Sequence, residues 1–301
     1  MFRALRYLLI LVAALAIGSR FYPPLRLAAW YAAGRASVCS FEDAVASWSH
    51  YREQVRRKDA ILQSARQTER DEAGFVRWET THGSFWVPKG SELQLPWLLA
   101  EQERGIYGRG DRGVRPGDVV LDGGANVGVF TREALTAGAR LVVAIEPAPE
   151  NLECLRRNFR AEIEAGRVIV YPKGVWDRED SLTLYINPRN STLDSFVAHP
   201  GTIEQPAIPL TTVDRLAAEL QLDRVDFIKL DIEGAEPKAL AGAAEVLKRF
   251  KPRLAISAYH SGDEAGEIPA MIRKAREDYQ MTCGPCSEYK WSIRPDVLYF
   301  Q

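Results

Sequence analysis

The chain has 301 residues, 46% of them hydrophobic and 26% charged, and its 39 basic and 40 acidic side chains leave a formal net charge of −1. This length and composition fit one large α/β domain with an appendage and exclude a disordered or fibrous chain. A balance so near neutrality supplies no basic field for nucleic acid, which is therefore not expected as a partner.

Arg3 and Arg6 precede an uncharged run over residues 7–19, closed by Arg20 and Pro23-Pro24. The run falls short of the about 20 apolar residues that span a bilayer. Three readings of residues 1–35 are open: an anchor in or across a membrane, a cleaved secretory signal with the small-x-small triplet Ala14-Leu15-Ala16, or a helix packed on the domain. Arginines at both ends leave the orientation of an anchor unsettled. A weaker apolar stretch covers residues 25–33.

Residues 36–73 read as a helical linker. Phe41, Val45, Trp48, Tyr51 and Val55 share one helix face behind a Ser40 N-cap, and residues 53–72 are strongly charged. Residues 74–110 read as an extension, with a hairpin over 75–87 broken at His82-Gly83 and a short helix over 93–103. Its aromatics Phe75, Trp78, Phe85 and Trp86 are expected to pack the hairpin rather than to form a substrate platform.

From residue 111 to 301 the pattern is strand–helix alternation. Strands are predicted over 118–122, 140–145, 168–171, 226–231 and 253–259, with an added ribbon at 181–186 and short strands near 279–282 and 297–300. Helices are predicted over 127–137, 149–164, 237–250 and 268–277. This implies a doubly wound α/β domain with a mostly parallel sheet covered on both faces.

The segment VVLDGGANVG, residues 119–128, marks a strand end turning into a helix, the edge where ligands bind in such sheets. Gly123 and Gly124 permit a tight turn and close approach of a ligand, Gly128 permits close packing, and the free N–H groups around Asn126 and Val127 favour an anion. The spacing differs from the G-x-G-x-x-G of a dinucleotide turn, which leaves nicotinamide binding as the minor alternative. Asp122 is expected to face a cationic ligand, and Glu146, before Pro147 at the next strand end, to accept both hydroxyls of a ribose. Ribose, ammonium, carboxylate and sulfonium are united in S-adenosylmethionine, the expected cofactor. Because that cofactor is made in the cytosol, the expected location is the cytoplasmic face of a membrane or the cytoplasm itself.

The segments VVLDGGANVGVFTREAL, VVAIEPAPENLECLRRNF and VDFIKLDIEGAEPKALAGA resemble the FkbM-type methyltransferases, from about residue 114 to the C-terminus. The resemblance implies a class I, Rossmann-like fold, methyl transfer to a hydroxyl of a small molecule or glycan-like acceptor, and cofactor contacts at Asp122, Gly124, Asn126, Gly128 and Glu146. It further implies a contact near Gly174-Val175-Trp176, beside the adenine. N-methylation, or a binding module without transfer, are the rival readings. One departure is AISAYH at 255–260, where many members carry a carboxylate.

Catalytic groups are expected at the strand ends facing the methyl. Lys229, Asp231 and Glu233 bracket the fourth strand, Asp231 as the group orienting substrate or cofactor; a Lys229–Glu233 ion pair is the alternative. His260 ends the fifth strand, and an imidazole of ordinary pKa is a general base at neutral pH. Asp231 and Glu233 offer oxygens to a metal, but the sequence shows no third ligand and no metal is expected. Residues 191–196 (STLDSF) are read as part of an acceptor lid, and Asn190-Ser191-Thr192 as a sequon that has no meaning in the cytosol. Four cysteines, Cys39, Cys154, Cys283 and Cys286, are too sparse for a disulfide framework, so a reducing compartment is the default, and the Cys-x-x-Cys at 283–286 is not expected to act.

Overall fold

The computed structural model describes residues 6–7, 17–18, 22–36, 38–196, 200–260 and 264–301. Most of the apolar run at 7–19 therefore lies outside the described residues. Among those described, no helix is long and apolar enough to cross a membrane.

Pro23–Ala32 forms α1, started by a proline pair whose fixed φ suits a first turn. Phe41–Ser64 forms α2, and Ser40 caps it as predicted by accepting the Asp43 N–H. The charged stretch read as linker resolves into the second half of α2 and an exposed strand, β1 (Arg66–Arg70). That strand pairs with β2 (Val76–Thr80), which pairs with β3 (Gly83–Val87), so the expected hairpin is two-thirds of a three-stranded sheet. Its aromatics pack as expected: Phe85 is buried, with Phe75, Trp78 and Trp86 around it. Leu95–Arg104 is α3, ended by Gly105 in the left-handed region.

The main domain then runs β4 (Val119–Gly123), α4 (Val129–Thr136), β5 (Leu141–Ile145), α5 (Pro149–Asn158), α6 (Arg160–Glu164), β6 (Val168–Tyr171), β7 (Gly174–Val175), β8 (Asp180–Ile186) and β9 (Ile203–Thr211). It continues with α7 (Val213–Glu219), β10 (Phe227–Leu230), α8 (Glu236–Ala241), α9 (Ala244–Phe250), β11 (Arg253–Ser257) and α10 (Glu264–Ala275). It closes with β12 (Met281–Cys283), β13 (Cys286–Tyr289), β14 (Ser292–Pro295) and β15 (Val297–Phe300). The central sheet has seven strands in the order β12-β15-β11-β10-β4-β5-β6. The five from β11 to β6 are mutually parallel, and β15 runs antiparallel between β11 and β12. The chain steps outward from β4 to β5 and β6, then returns to the other flank of β4 for β10 and β11. That reversal opens a crevice at the carboxyl ends of β4 and β10.

The extension is part of the same packed body. Leu95, Leu99 and Val87 share a buried cluster with Val127, Val129 and Cys154 of the main domain. At the N-terminal end, Leu27 and Ala44 are buried against Cys286 and Ile293. There Cys39 and Cys286 form a disulfide joining residues 247 apart, a single cross-link rather than a framework, which the reading of a reducing compartment did not anticipate. The Cys-x-x-Cys does not close on itself: Cys283 is a free thiol whose Sγ donates to the Val38 carbonyl at 3.0 Å. Local spacing carried no sign of this pairing, because its partners meet only when α1 and α2 dock on the β13–β14 hairpin.

Candidate active site

A cavity of about 520 Å³ lies at the crevice, walled by residues that follow β4, β5, β10 and β11 and by side chains of α3. Its volume falls in the range of small-molecule sites. The glycine turn makes its floor. Gly124 has φ +72°, and a Cβ there would overlap the Asp231 carbonyl oxygen, so the loops after β4 and β10 touch through bare backbone. Gly128 (φ +90°) starts α4 directly against the Phe159 ring, where a side chain would not fit.

On one side Glu146 faces the cavity. Its carboxylate accepts the Asn126 N–H at 2.8 Å, the Ala148 N–H at 2.9 Å and the Asn151 side-chain amide at 3.3 Å. Burial raises its pKa, and these bonds offset part of the rise. The group is thereby fixed in place with one acceptor position, on Oε2, left for a ligand hydroxyl. Gly174, Val175 and Pro147 also line the cavity.

Lys229 is buried beneath the turn. Its ammonium donates to the carbonyls of Gly123 (3.0 Å) and Gly124 (2.7 Å) and pairs with Asp122 at 3.2 Å. Asp122 also accepts the Thr131 hydroxyl at 2.7 Å and is wholly buried. The expectation that Asp122 faces the ligand is thus corrected. The acid is absent from the cavity lining and neutralises the lysine that props up the glycine turn. The alternative Lys229–Glu233 pair is likewise not formed, because strand pairing sets Lys229 beside Asp122. Gly123, Val127, Gly128 and Trp176 also stand behind the lining rather than in it, with Val127 in the core and Trp176 edge-on to Phe196.

Opposite Glu146, the structure gathers all four expected catalytic residues, Lys229, Asp231, Glu233 and His260. Asp231 accepts the Tyr107 phenol at 2.6 Å and the Tyr259 phenol at 3.1 Å. Burial alone would raise its pKa, but Lys229, His260 and the hydroxyl bonds outweigh it and hold Asp231 ionised. The His260 Nε2 lies 3.4 Å from both Asp231 and Glu233, and its Nδ1 lies 3.2 Å from the fully buried Glu236. Burial works against its charge, yet the flanking carboxylates Glu233, Glu236 and Asp231 push its pKa up to about 11. The flanking carboxylates thus favour the charged imidazolium over the neutral base that the sequence suggested. Glu233 holds a left-handed backbone (φ 56°), the sort of strain that collects at functional turns.

Several lining residues were not anticipated. Tyr107, Trp97 and Glu101 come from the extension, Tyr259 from the end of β11, and Tyr289 from the β13–β14 hairpin. Tyr259 lies inside the AISAYH departure, and its phenol reaches the active-site acid across from that strand end, which is the signal that could have revealed it. Glu101 has its carboxyl pKa raised to about 8, first by burial and then by Asp231. The 191–196 segment lines the cavity and reaches the Glu146 side. Ser191 O accepts the Asn126 amide at 3.3 Å, and Phe196 packs beside Gly174.

The methyltransferase FkbM domain family matches residues 122–281, more than half of the chain. A curated relative, the 31-O-demethyl-FK506 methyltransferase FkbM of Streptomyces tacrolimicus, is 29% identical over 189 residues, covering 53% of this chain and 72% of that protein. The AMB antimetabolite synthetase AmbE of Pseudomonas aeruginosa is 26% identical over 234 residues, 64% of this chain but only 10% of that protein. Among solved structures, a methyltransferase FkbM from Methylobacillus flagellatus is 20% identical with a TM-score of 0.46, over 86% of this chain and 60% of that one. M. jannaschii TYW2, solved in complex with AdoMet, is 15% identical with a TM-score of 0.38, over 77% and 85% of the two chains. The sheet described above is the class I methyltransferase architecture that the sequence implied, and the chain belongs to the FkbM family of methyltransferases.

Proposed function

We propose that the protein transfers a methyl group from S-adenosylmethionine to a hydroxyl of a small-molecule or glycan-like acceptor. The observation that carries this reading is the division of a single cavity. Glu146 and the Gly124–Asn126 turn occupy one side, while Asp231, Tyr107, Tyr259 and Glu101 occupy the other. The first side suits a nucleoside: a fixed carboxylate for a ribose hydroxyl, beside Gly174 and Val175. The ionised Asp231, beside the floor of the turn, supplies negative charge for a sulfonium and its ammonium, the role the sequence had given to Asp122.

The opposite side suits a hydroxyl. Asp231, held by two phenols, orients the acceptor, and Glu101 receives its proton. The acceptor oxygen then attacks the sulfonium methyl in line. An O–CH3 bond forms as the S–CH3 bond breaks, and the electron pair stays on sulfur. Alignment of the two reactants is the larger part of the rate gain, and the proton acceptor adds to it. Trp97, Tyr107 and Tyr289 add aromatic surface to the cavity lining, which suits an acceptor with apolar or sugar-ring surfaces.

Calorimetry with S-adenosylmethionine, followed by a hydroxyl panel with mass detection of the methylated product, tests the reading. Donor binding together with production of S-adenosylhomocysteine and an O-methyl product is expected. Absence of donor binding overturns it; methylation at nitrogen alone would reassign the acceptor atom.

A further inference from the structure

The sequence showed two oxygen donors at the end of β10 and no third ligand; the fold brings that ligand in from two other elements. Asp231, Glu236 and His260 each offer an atom within 4.8 Å of the others. Glu233 adds a carboxylate oxygen 3.4 Å from the His260 Nε2. We propose that this cluster is a binding site for a divalent first-row transition cation, at the acceptor end of the cavity.

Three observations support the site. First, the groups are prearranged by separate elements: the loop after β10 supplies Asp231, the first residue of α8 supplies Glu236, and the loop after β11 supplies His260. The Asp231 and Glu233 oxygens stand 3.4 Å from the His260 Nε2, the spacing of neighbours sharing one ion, since ligands about 2.1 Å from a tetrahedral metal stand about 3.4 Å apart, while Glu236 lies 3.2 Å from the other ring nitrogen, Nδ1. Second, Glu236 is wholly buried, and its Oε2 has no hydrogen-bond partner although its Oε1 accepts the Ile232 N–H. Neither His260 nitrogen makes a well-formed hydrogen bond, despite a side chain only 8% exposed. Buried polar atoms left in this state cost free energy that a coordinated ion recovers. Third, three carboxylates surround one ring, so the local charge favours a cation. A metal ion arriving there displaces the imidazole proton.

The donor set decides the class of ion. Calcium and magnesium take oxygens almost alone, whereas an imidazole with carboxylates suits manganese or zinc. The position, beside Tyr107 and Tyr259 on Asp231, gives the ion a use: it holds the acceptor oxygen and acidifies its hydroxyl. That use rests on the methyl-transfer reading, but the ion's binding does not.

The test is a titration of the donor-free protein with Mn2+, followed by the loss of the free-ion paramagnetic resonance signal. One Mn2+ per chain is expected, with affinity lowered about ten- to hundredfold or more in His260→Gln and Glu236→Gln. Mn2+ is also expected to raise the thermal midpoint of the wild type and not of the variants. Donor binding, measured separately by calorimetry, reports the methyl-transfer reading on its own. A wild type that leaves the Mn2+ signal and thermal midpoint unchanged, or variants that bind as it does, overturns the metal site even where donor binding is intact.

Discussion

At the scale of single residues, the site divides by the work each carboxyl can do at its own pKa. Glu146 is held by three hydrogen bonds and faces the donor side. Glu146→Ala is expected to weaken S-adenosylmethionine binding by about ten- to a hundredfold, the loss of a charge-assisted hydrogen bond, as read by calorimetry. Glu101 is different. Burial first, then the charges of Asp231 and Asp296, raise its pKa to about 8 against the opposing pull of Arg104 and Lys229. Its carboxyl is protonated below that pH and able to accept a proton above it. Turnover is therefore expected to climb as pH passes through 8, and Glu101→Gln to lower it by about 10²- to 10⁴-fold and flatten that limb. A pH profile unchanged by the substitution would remove Glu101 from the proton path. Asp122 shows what sequence could not tell. Its place at a strand end was legible, and so was the chemistry of an acid there. Which way the acid faces was not, because that depends on Lys229 standing beside it in the neighbouring strand, a register fixed only by sheet pairing. Asp122→Ala leaves Lys229 buried without its counter-charge and is expected to destabilise the fold by about 3–5 kcal/mol in chemical denaturation. Near-wild-type stability would contradict that pairing.

At the scale of elements, the parallel strands were legible because strands buried on both faces read as short apolar runs. β4, β5, β6, β10 and β11 all appear where the pattern put them. β9 did not announce itself: its alternation is broken by Pro206 and Pro209, and its outward face is largely exposed. The β13–β14 hairpin was hidden for a similar reason, since its partners are each other and its buried side chains meet α1 and α2 rather than the main core. The helix expected over 149–164 divides at Phe159, whose ring fills the space against Gly128. That contact makes the start of α4 sensitive to volume. Gly128→Ala adds a methyl group against a buried ring at a left-handed position, and is expected to cost at least about 1–3 kcal/mol while disturbing the donor turn. A stable variant with unaltered donor affinity would contradict this account.

At the scale of the molecule, the extension that sequence set apart from the methyltransferase domain supplies part of the candidate active-site cavity. Trp97, Glu101 and Tyr107 all lie before residue 111, where the methyltransferase pattern begins. Nothing in their local sequence links them to the crevice, since the link is the burial of α3 against the loop that leads into α4. The disulfide binds a further part of the chain to the same body, and loop-closure entropy gives it a contribution of up to about 5 kcal/mol.

Its effect extends past stability. Cys286 and Tyr289 are the two ends of one four-residue strand, so the rivet that fixes α1 and α2 also fixes the strand that carries a tyrosine to the cavity wall. The thiol pool around the protein thereby acquires leverage over the chamber that receives the acceptor. Enzyme purified with dithiothreitol and enzyme purified without it are, in this sense, two catalysts, and their Michaelis constants for the acceptor are expected to differ while their constants for the methyl donor agree.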